Sequence, residues 1–134
     1  MATATAPTTT ATLRVFLVED SPEVLQRIQT DLALIPGLST VGHADTAADA
    51  IREVLAAHPD VVLLDLRLRE GNGMEVLRAL HASAPEIDVY LCSSYATEPY
   101  RGMALRLGAR DVFDKSTEFG RVKETLARRA ASLH

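Results

Sequence analysis

The chain has 134 residues, 47% of them hydrophobic and 24% charged, with 14 basic and 18 acidic side chains and a net charge of −4. That length suits one globular domain of about 100–200 residues, and the acidic balance argues against a polyanion-coating or direct nucleic-acid-binding role. A single cysteine, Cys92, excludes an intramolecular disulfide framework and a multi-cysteine metal cage; no apolar run reaches the ~18 residues of a spanning helix, so a cytoplasmic protein is expected.

Met1 to Thr12 is almost entirely Ala and Thr. It lacks the basic start and large-apolar stretch of a secretory signal, and the Arg of a transit peptide. A disordered leader over residues 1–12 is expected, followed by one domain over 13–134. Leu13–Val18 is the first strand candidate. A helix follows Ser21-Pro22-Glu23, because serine caps, proline fits the first helical position and an acid suits the positive helix end. Its apolar positions Val24, Leu25, Ile28, Leu32 and Ile35 share one face, and Pro36-Gly37 ends it. Leu38–Ala44 is a weaker, alternating strand. Thr46-Ala47-Ala48-Asp49 then resembles a capping box and opens a helix carrying Ile51, Val54 and Leu55. Val61–Leu64 is fully apolar, as suits a strand covered on both faces. After the Gly71-Asn72-Gly73 turn a third helix carries Met74, Leu77 and Leu80. Ile87–Cys92 is the fourth strand, and a helix around Pro99–Leu107 stops at Gly108. Asp111–Phe113 is the fifth strand. A last helix starts near Ser116-Thr117 and carries Phe119, Val122, Leu126 and Ala130.

Five strands alternating with five helices over short connections imply parallel strands with right-handed crossovers. The expected fold is a three-layer, doubly wound α/β domain. In such sheets ligands bind beyond the carboxyl ends of the strands. Glu19 and Asp20 follow the first strand, Asp65 the third, Ser93 and Ser94 the fourth, and Lys115 the fifth. Three converging carboxylates repel unless a cation sits among them, and all-oxygen ligands favour a hard ion, Mg²⁺ first. A carboxylate can act as a nucleophile and form an aspartyl phosphate, with the metal and Lys115 neutralising charge on the transferring group.

The segments VFLVEDSPEV, PDVVLLDLRLREGNG, VYLCSSYA and LGARDVFDKS, in that order, resemble the receiver domain of two-component response regulators from about Leu13 to Ala131. The resemblance implies a flavodoxin-like sheet of order 2-1-3-4-5. It implies Asp65 as phosphoacceptor, with Glu19, Asp20, Asp65 and the backbone carbonyl of Arg67 around Mg²⁺, Asp20 directly and Glu19 mainly through water. Ser93 matches the switch hydroxyl, Ser94 a small residue whose N–H faces the phosphoryl group, and Lys115 the lysine that pairs with a phosphoryl oxygen. The implied donor is a sensor histidine kinase or histidine phosphotransfer protein. The downstream partner is unknown, the stretch from Glu98 to Arg106 is the candidate partner patch, and homodimerisation is left open.

Three positions depart from the family pattern. Val112 stands where a Tyr or Phe usually couples to the switch hydroxyl, and Phe113, its neighbour, should face the other side of the sheet. Ser116 follows the lysine where a proline in a cis peptide is common. Arg69 replaces a proline in the loop after Asp65, which should leave that loop freer. Arg67 and Tyr95 flank the site, and their bulk is expected to shield the phosphoryl group from water.

The chain reads as a standalone signalling switch with only self-directed phosphoryl chemistry rather than an enzyme releasing a product. Competing readings are a degenerate receiver used for dimerisation, the N-terminal part of a DNA-binding response regulator, and an aspartate-nucleophile phosphatase. The last is disfavoured by Arg67, which stands where such enzymes carry a second Asp. A flavin site is disfavoured by EDSP, which stands where a phosphate-cradling loop would be needed. Cys92 reads as a buried inert thiol, Arg128-Arg129 as a solvated helix face, and His43, His58, His81 and His134 as scattered side chains without ligand spacing.

Overall fold

The computed structural model describes residues 11–133. Most of the expected leader, and His134, lie outside the described residues. The elements run β1 (Leu13–Val18), α1 (Pro22–Ala33), β2 (Leu38–Ala44), α2 (Ala47–Ala57), β3 (Val61–Leu64), α3 (Gly73–Ser83), β4 (Asp88–Ser93), α4 (Tyr100–Arg106), β5 (Asp111–Asp114) and α5 (Phe119–Ala131). The strands form one parallel sheet of order β2-β1-β3-β4-β5. This is the doubly wound domain the pattern predicts, with the flavodoxin-like strand order that the resemblance implies. No described helix is long and apolar enough to cross a membrane.

Strand alternation divides the core in two. Phe16, Val18, Leu64, Leu91 and Val112 point to the side covered by α2, α3 and α4, where Val54, Leu77, Leu80 and Ala104 meet them. Val15, Leu17, Leu63, Tyr90 and Phe113 point to the side covered by α1 and α5, against Leu32, Val122 and Leu126. Val112 and Phe113 therefore do face opposite layers.

Local chemistry sets the helix starts. Ser21 Oγ accepts from Val24 N–H at 3.3 Å, and Thr46 Oγ1 from Asp49 N–H at 3.2 Å. Asn72 and Glu75 form a reciprocal capping box, with both bonds at 3.1 Å. Several boundaries and faces differ from expectation. β4 and β5 each end one residue later than expected, so Ser93 is the last residue of β4 rather than the first beyond it. Leu55 lies on the exposed side of α2, whose buried face is Ala47, Ala50 and Val54. α5 starts at Phe119 because Ser116 and Thr117 are drawn into a turn: Asp114 Oδ1 accepts from Ser116 N–H, Ser116 Oγ and Thr117 N–H at 2.9, 2.7 and 3.2 Å. Asp and Ser compete for backbone groups in this way and delay a helix. Arg129 is not on a solvated face; it donates to Asp88 Oδ2 at 2.5 Å and to the Tyr90 hydroxyl at 3.3 Å.

Candidate functional site

The ladder continues past the strand ends and fixes the site. Glu19 N–H donates to Ala44 O at 3.0 Å, Asp65 N–H to Val18 O at 3.0 Å, and Lys115 N–H to Ser93 O at 3.1 Å. Each side chain is thus aimed from a backbone held by the neighbouring strand. Glu19 and Asp65 are 4% and 6% exposed, while Asp20 is exposed. Lys115 Nζ donates to Asp65 Oδ2 at 2.6 Å and to Glu19 Oε1 at 2.8 Å. The remaining oxygens are also held: Asp65 Oδ1 accepts from Leu66 N–H at 2.7 Å and Glu19 Oε2 from Ser21 N–H at 3.1 Å.

Burial pushes the Glu19 carboxyl above its ordinary range, against the opposing pull of Lys115. Burial also works against the Lys115 charge, but the hydrogen bonds and charges of Asp65 and Glu19 outweigh it and hold the ammonium above its usual value. Carboxylate oxygens of Glu19, Asp20 and Asp65 lie within 4.8 Å of one another. Three carboxylates against the Lys115 ammonium and the Arg67 guanidinium, which faces the same cleft, leave one negative charge in excess. That imbalance and the all-oxygen donor set fit a hard divalent cation.

The residues open onto a cleft of about 290 Å³, which Ser94, Arg67 and Tyr95 also line. Arg67 Nη1 donates to the Tyr95 hydroxyl at 2.6 Å, and its guanidinium lies 5.4 Å from the Tyr95 ring centroid. Ser93 is fully buried, and its Oγ accepts from Tyr95 N–H at 3.1 Å, which leaves the hydroxyl proton free to donate elsewhere. The fold therefore brings Glu19, Asp20, Asp65, Arg67, Ser94 and Lys115 to one cleft, while Ser93 is buried at the end of β4 and does not line it.

Two features of the site were not foreseen. The loop after Asp65 is not freer for having Arg69. Arg69 binds Asp45 with two bonds, at 3.0 and 3.3 Å, and backbone bonds Arg69 N to Asp45 O and Ala47 N to Glu70 O, both 2.9 Å, tie the two loops together. The other is the brace under Lys115. Besides the Asp114 turn, Glu118 Oε1 accepts from Asp114 N–H at 2.8 Å and Glu118 Oε2 from Arg121 at 2.7 Å. The Asp-x-Ser-Thr spacing is the signal for this turn. The Lys115–Ser116 peptide is trans, and the one cis bond among the described residues is Glu98–Pro99.

Gly73 lets α3 reach the site. A Cβ there would stand 2.3 Å from Asp65 O and 3.0 Å from Leu66 Cα, both backbone atoms that cannot swing aside. Gly73→Ala is expected to destabilise the domain by about 1–3 kcal/mol in urea unfolding, as overpacking does, and to slow any chemistry at Asp65. An unchanged midpoint would mean the loop relaxes freely. Cys92, between the sheet and α5, has its thiol pushed up to about 12 by burial. It should resist an aromatic disulfide reagent at neutral pH until denaturant is added, and rapid native-state labelling would contradict that.

The family model for the response regulator receiver domain matches residues 15–127. The DNA-binding transcriptional activator DevR/DosR of Mycobacterium tuberculosis is 37% identical over 97 residues, covering 72% of this chain and 45% of that protein. The protein-glutamate methylesterase/protein-glutamine glutaminase 1 of Carboxydothermus hydrogenoformans is 32% identical over 115 residues, covering 84% of this chain and 34% of that protein. The chain thus spans less than half the length of these curated relatives. The response regulator domain of Thermotoga maritima CheB has the same fold, with a TM-score of 0.79 at 26% identity over 91% of this chain and 96% of that one. Strand order, cleft position and sequence match converge: the chain belongs to the response regulator receiver domain family.

Proposed function

We propose that this chain is a phosphoryl-accepting switch in which Asp65 takes a phosphoryl group from the phosphohistidine of a sensor kinase or phosphotransfer protein in the cytoplasm. The observation that carries this reading is the convergence of Asp65, Glu19 and Lys115, joined by bonds of 2.6 and 2.8 Å beside Asp20 at one open cleft. In the transfer, an Asp65 carboxylate oxygen attacks phosphorus. The bond from phosphorus to the donor imidazole nitrogen breaks, and its electron pair stays on the imidazole. Lys115, already poised on Asp65, turns its ammonium to a phosphoryl oxygen. Ser93 offers its hydroxyl proton and Ser94 its backbone N–H to the other oxygens. Glu19, Asp20, Asp65 and the Arg67 carbonyl would hold Mg²⁺, which when bound supplies charge neutralisation for the transferring group.

Acetyl phosphate tests the reading. Intact mass should rise by one phosphoryl group per chain, with Mg²⁺ required and acetate released. No adduct, together with no spectral response to beryllofluoride and Mg²⁺, would instead favour a degenerate, interaction-only receiver. A small phosphoester should not be turned over, since the chain acts as a switch and not as a phosphatase.

Arg67 and Tyr95 wall the cleft, so the phosphoryl group is expected to be shielded from water. The double variant Arg67→Ala, Tyr95→Ala should lose its phosphoryl group severalfold faster after acetyl phosphate is removed. An unchanged decay would show that these side chains are not the barrier.

The span of the relatives favours a second reading of what phosphorylation controls. On that reading the receiver acts inside a longer regulator whose output segment is its first partner. The size of the native protein in cell extract, read with an antibody to the receiver, separates this from a standalone switch.

A further inference from the structure

A groove of about 610 Å³ lies between α3 and α4, outside the acidic cluster. Its floor and walls include Leu68, Met74, Tyr95, Tyr100 and Met103. Tyr95, Tyr100 and Met103 are 39%, 40% and 37% exposed, and the two rings meet edge to face with centroids 6.3 Å apart. Tyr, Met and Arg are the side chains that protein interfaces concentrate, and Met adapts its shape to what it receives. The groove is open rather than enclosed. A small ligand needs most of its surface buried, whereas an extended or helical chain segment can lie along an open groove.

Its charge is equally informative. Arg78 lines the groove and makes no ion pair among the described residues. The nearby Glu75 carboxylate is engaged by Asn72 N–H in the capping box. That bond leaves the Glu75 charge in place, but Arg67 and Arg78 both line the groove with it, so the groove's net charge is positive. We propose that this groove docks a partner peptide that inserts one large apolar side chain between Tyr100 and Met103 and sets a carboxylate against Arg78.

Arg67 and Tyr95 line both this groove and the acidic cleft, so their hydrogen-bonded pair is a wall shared by the two. A peptide pressing on Tyr95 acts on the cleft as well. This link, which rests on the phosphoacceptor reading, makes peptide affinity depend on the state of Asp65.

The test uses fluorescein-labelled synthetic dodecapeptides, each with one Trp, Phe or Leu and an Asp or Glu within four positions of it. Matched controls carry Ala for the anchor or Lys for the acid. Anisotropy is read against the full chain, its Arg78→Glu and Met103→Glu variants, and Asp65→Asn. Acid-plus-anchor peptides should bind, and either control or either groove variant should weaken binding about tenfold, the scale of a lost hot spot. Arg78→Glu should shift the preference to the Lys peptides. Binding that ignores both groove variants, or no binding above the controls, overturns the proposal. So does saturation of the groove by simple aromatic carboxylates with no peptide selectivity. Asp65→Asn tests the groove without any phosphoryl chemistry. If it binds while wild type takes up no phosphoryl group from acetyl phosphate, the groove stands and the phosphoacceptor reading falls.

Discussion

Incubated with acetyl phosphate and Mg²⁺, Asp65→Asn is expected to keep its starting mass while wild type gains one phosphoryl group per chain. An ionised carboxylate can form the new bond to phosphorus, whereas the amide oxygen has neither its charge nor its nucleophilicity. The substitution is nearly isosteric, so the site should keep its shape. The amide oxygen can still accept from Leu66 N–H, the backbone stays tied to Val18, and Lys115 retains its bond to Glu19. The loss is therefore chemical, and circular dichroism of the variant should match wild type. Uptake by the variant at the wild-type rate would place the phosphoacceptor elsewhere. Uptake lost together with the fold would leave the assignment to a second substitution, Asp65→Glu, which keeps the charge but moves it.

Lys115→Met should be the more damaging change to stability, lowering it by about 3–5 kcal/mol at neutral pH, the usual cost of stranding a buried charge. Glu19 and Asp65 share Lys115 as their direct cation, and both are nearly closed to water. The pH dependence has a definite sign. Burial already holds the Glu19 carboxyl above its ordinary value, and without Lys115 it rises further. A carboxyl raised in the folded state favours folding at low pH and loses that contribution as pH rises through its folded value. The gap between variant and wild type should therefore narrow in acid and widen toward neutrality. Millimolar Mg²⁺ should recover part of it, because a cation that binds only the folded cluster shifts the equilibrium by mass action. Urea midpoints across pH, with and without Mg²⁺, measure both. A gap that is flat with pH would show that Glu19 keeps its charge at no cost.

Much of this architecture is legible in order of residues. Unbroken apolar runs such as Val61–Leu64 mark strands sealed on both sides, and helix caps announce themselves locally in Ser21 and Asn72. Once the strands alternate with helices, the carboxyl-end rule collects Glu19, Asp20, Asp65, Ser93 and Lys115 without further information. What stayed hidden is pairing between distant residues. Arg69 and Asp45 are 24 positions apart and Arg129 and Asp88 are 41 apart. No period or spacing links them, so Arg69 read only as a missing proline and Arg129 only as a solvated charge. The Asp114 turn was hidden for another reason: Ser116 and Thr117 are plausible helix starters, and their capture by the preceding Asp decides the matter by competition rather than propensity.

Val112 carries a consequence for how the cleft communicates with its surroundings. It is 1% exposed, sealed among the core side chains beneath α4, and its carbonyl accepts from Arg101 Nη1 at 2.9 Å. A valine has one stiff torsion and no polar end, so it cannot serve as a rotor that swings between core and solvent. Arg101 instead clamps α4 to the edge strand from outside. The remaining covalent link from Ser93 to α4 is the segment 94–99, in which only Ala96 is buried. On the phosphoacceptor reading proposed above, a pull at Ser93 is expected to travel along this short tether to Tyr100, at the head of α4. On that reading the expected signal is displacement of the whole helix against its Arg101 clamp, rather than the flip of a ring.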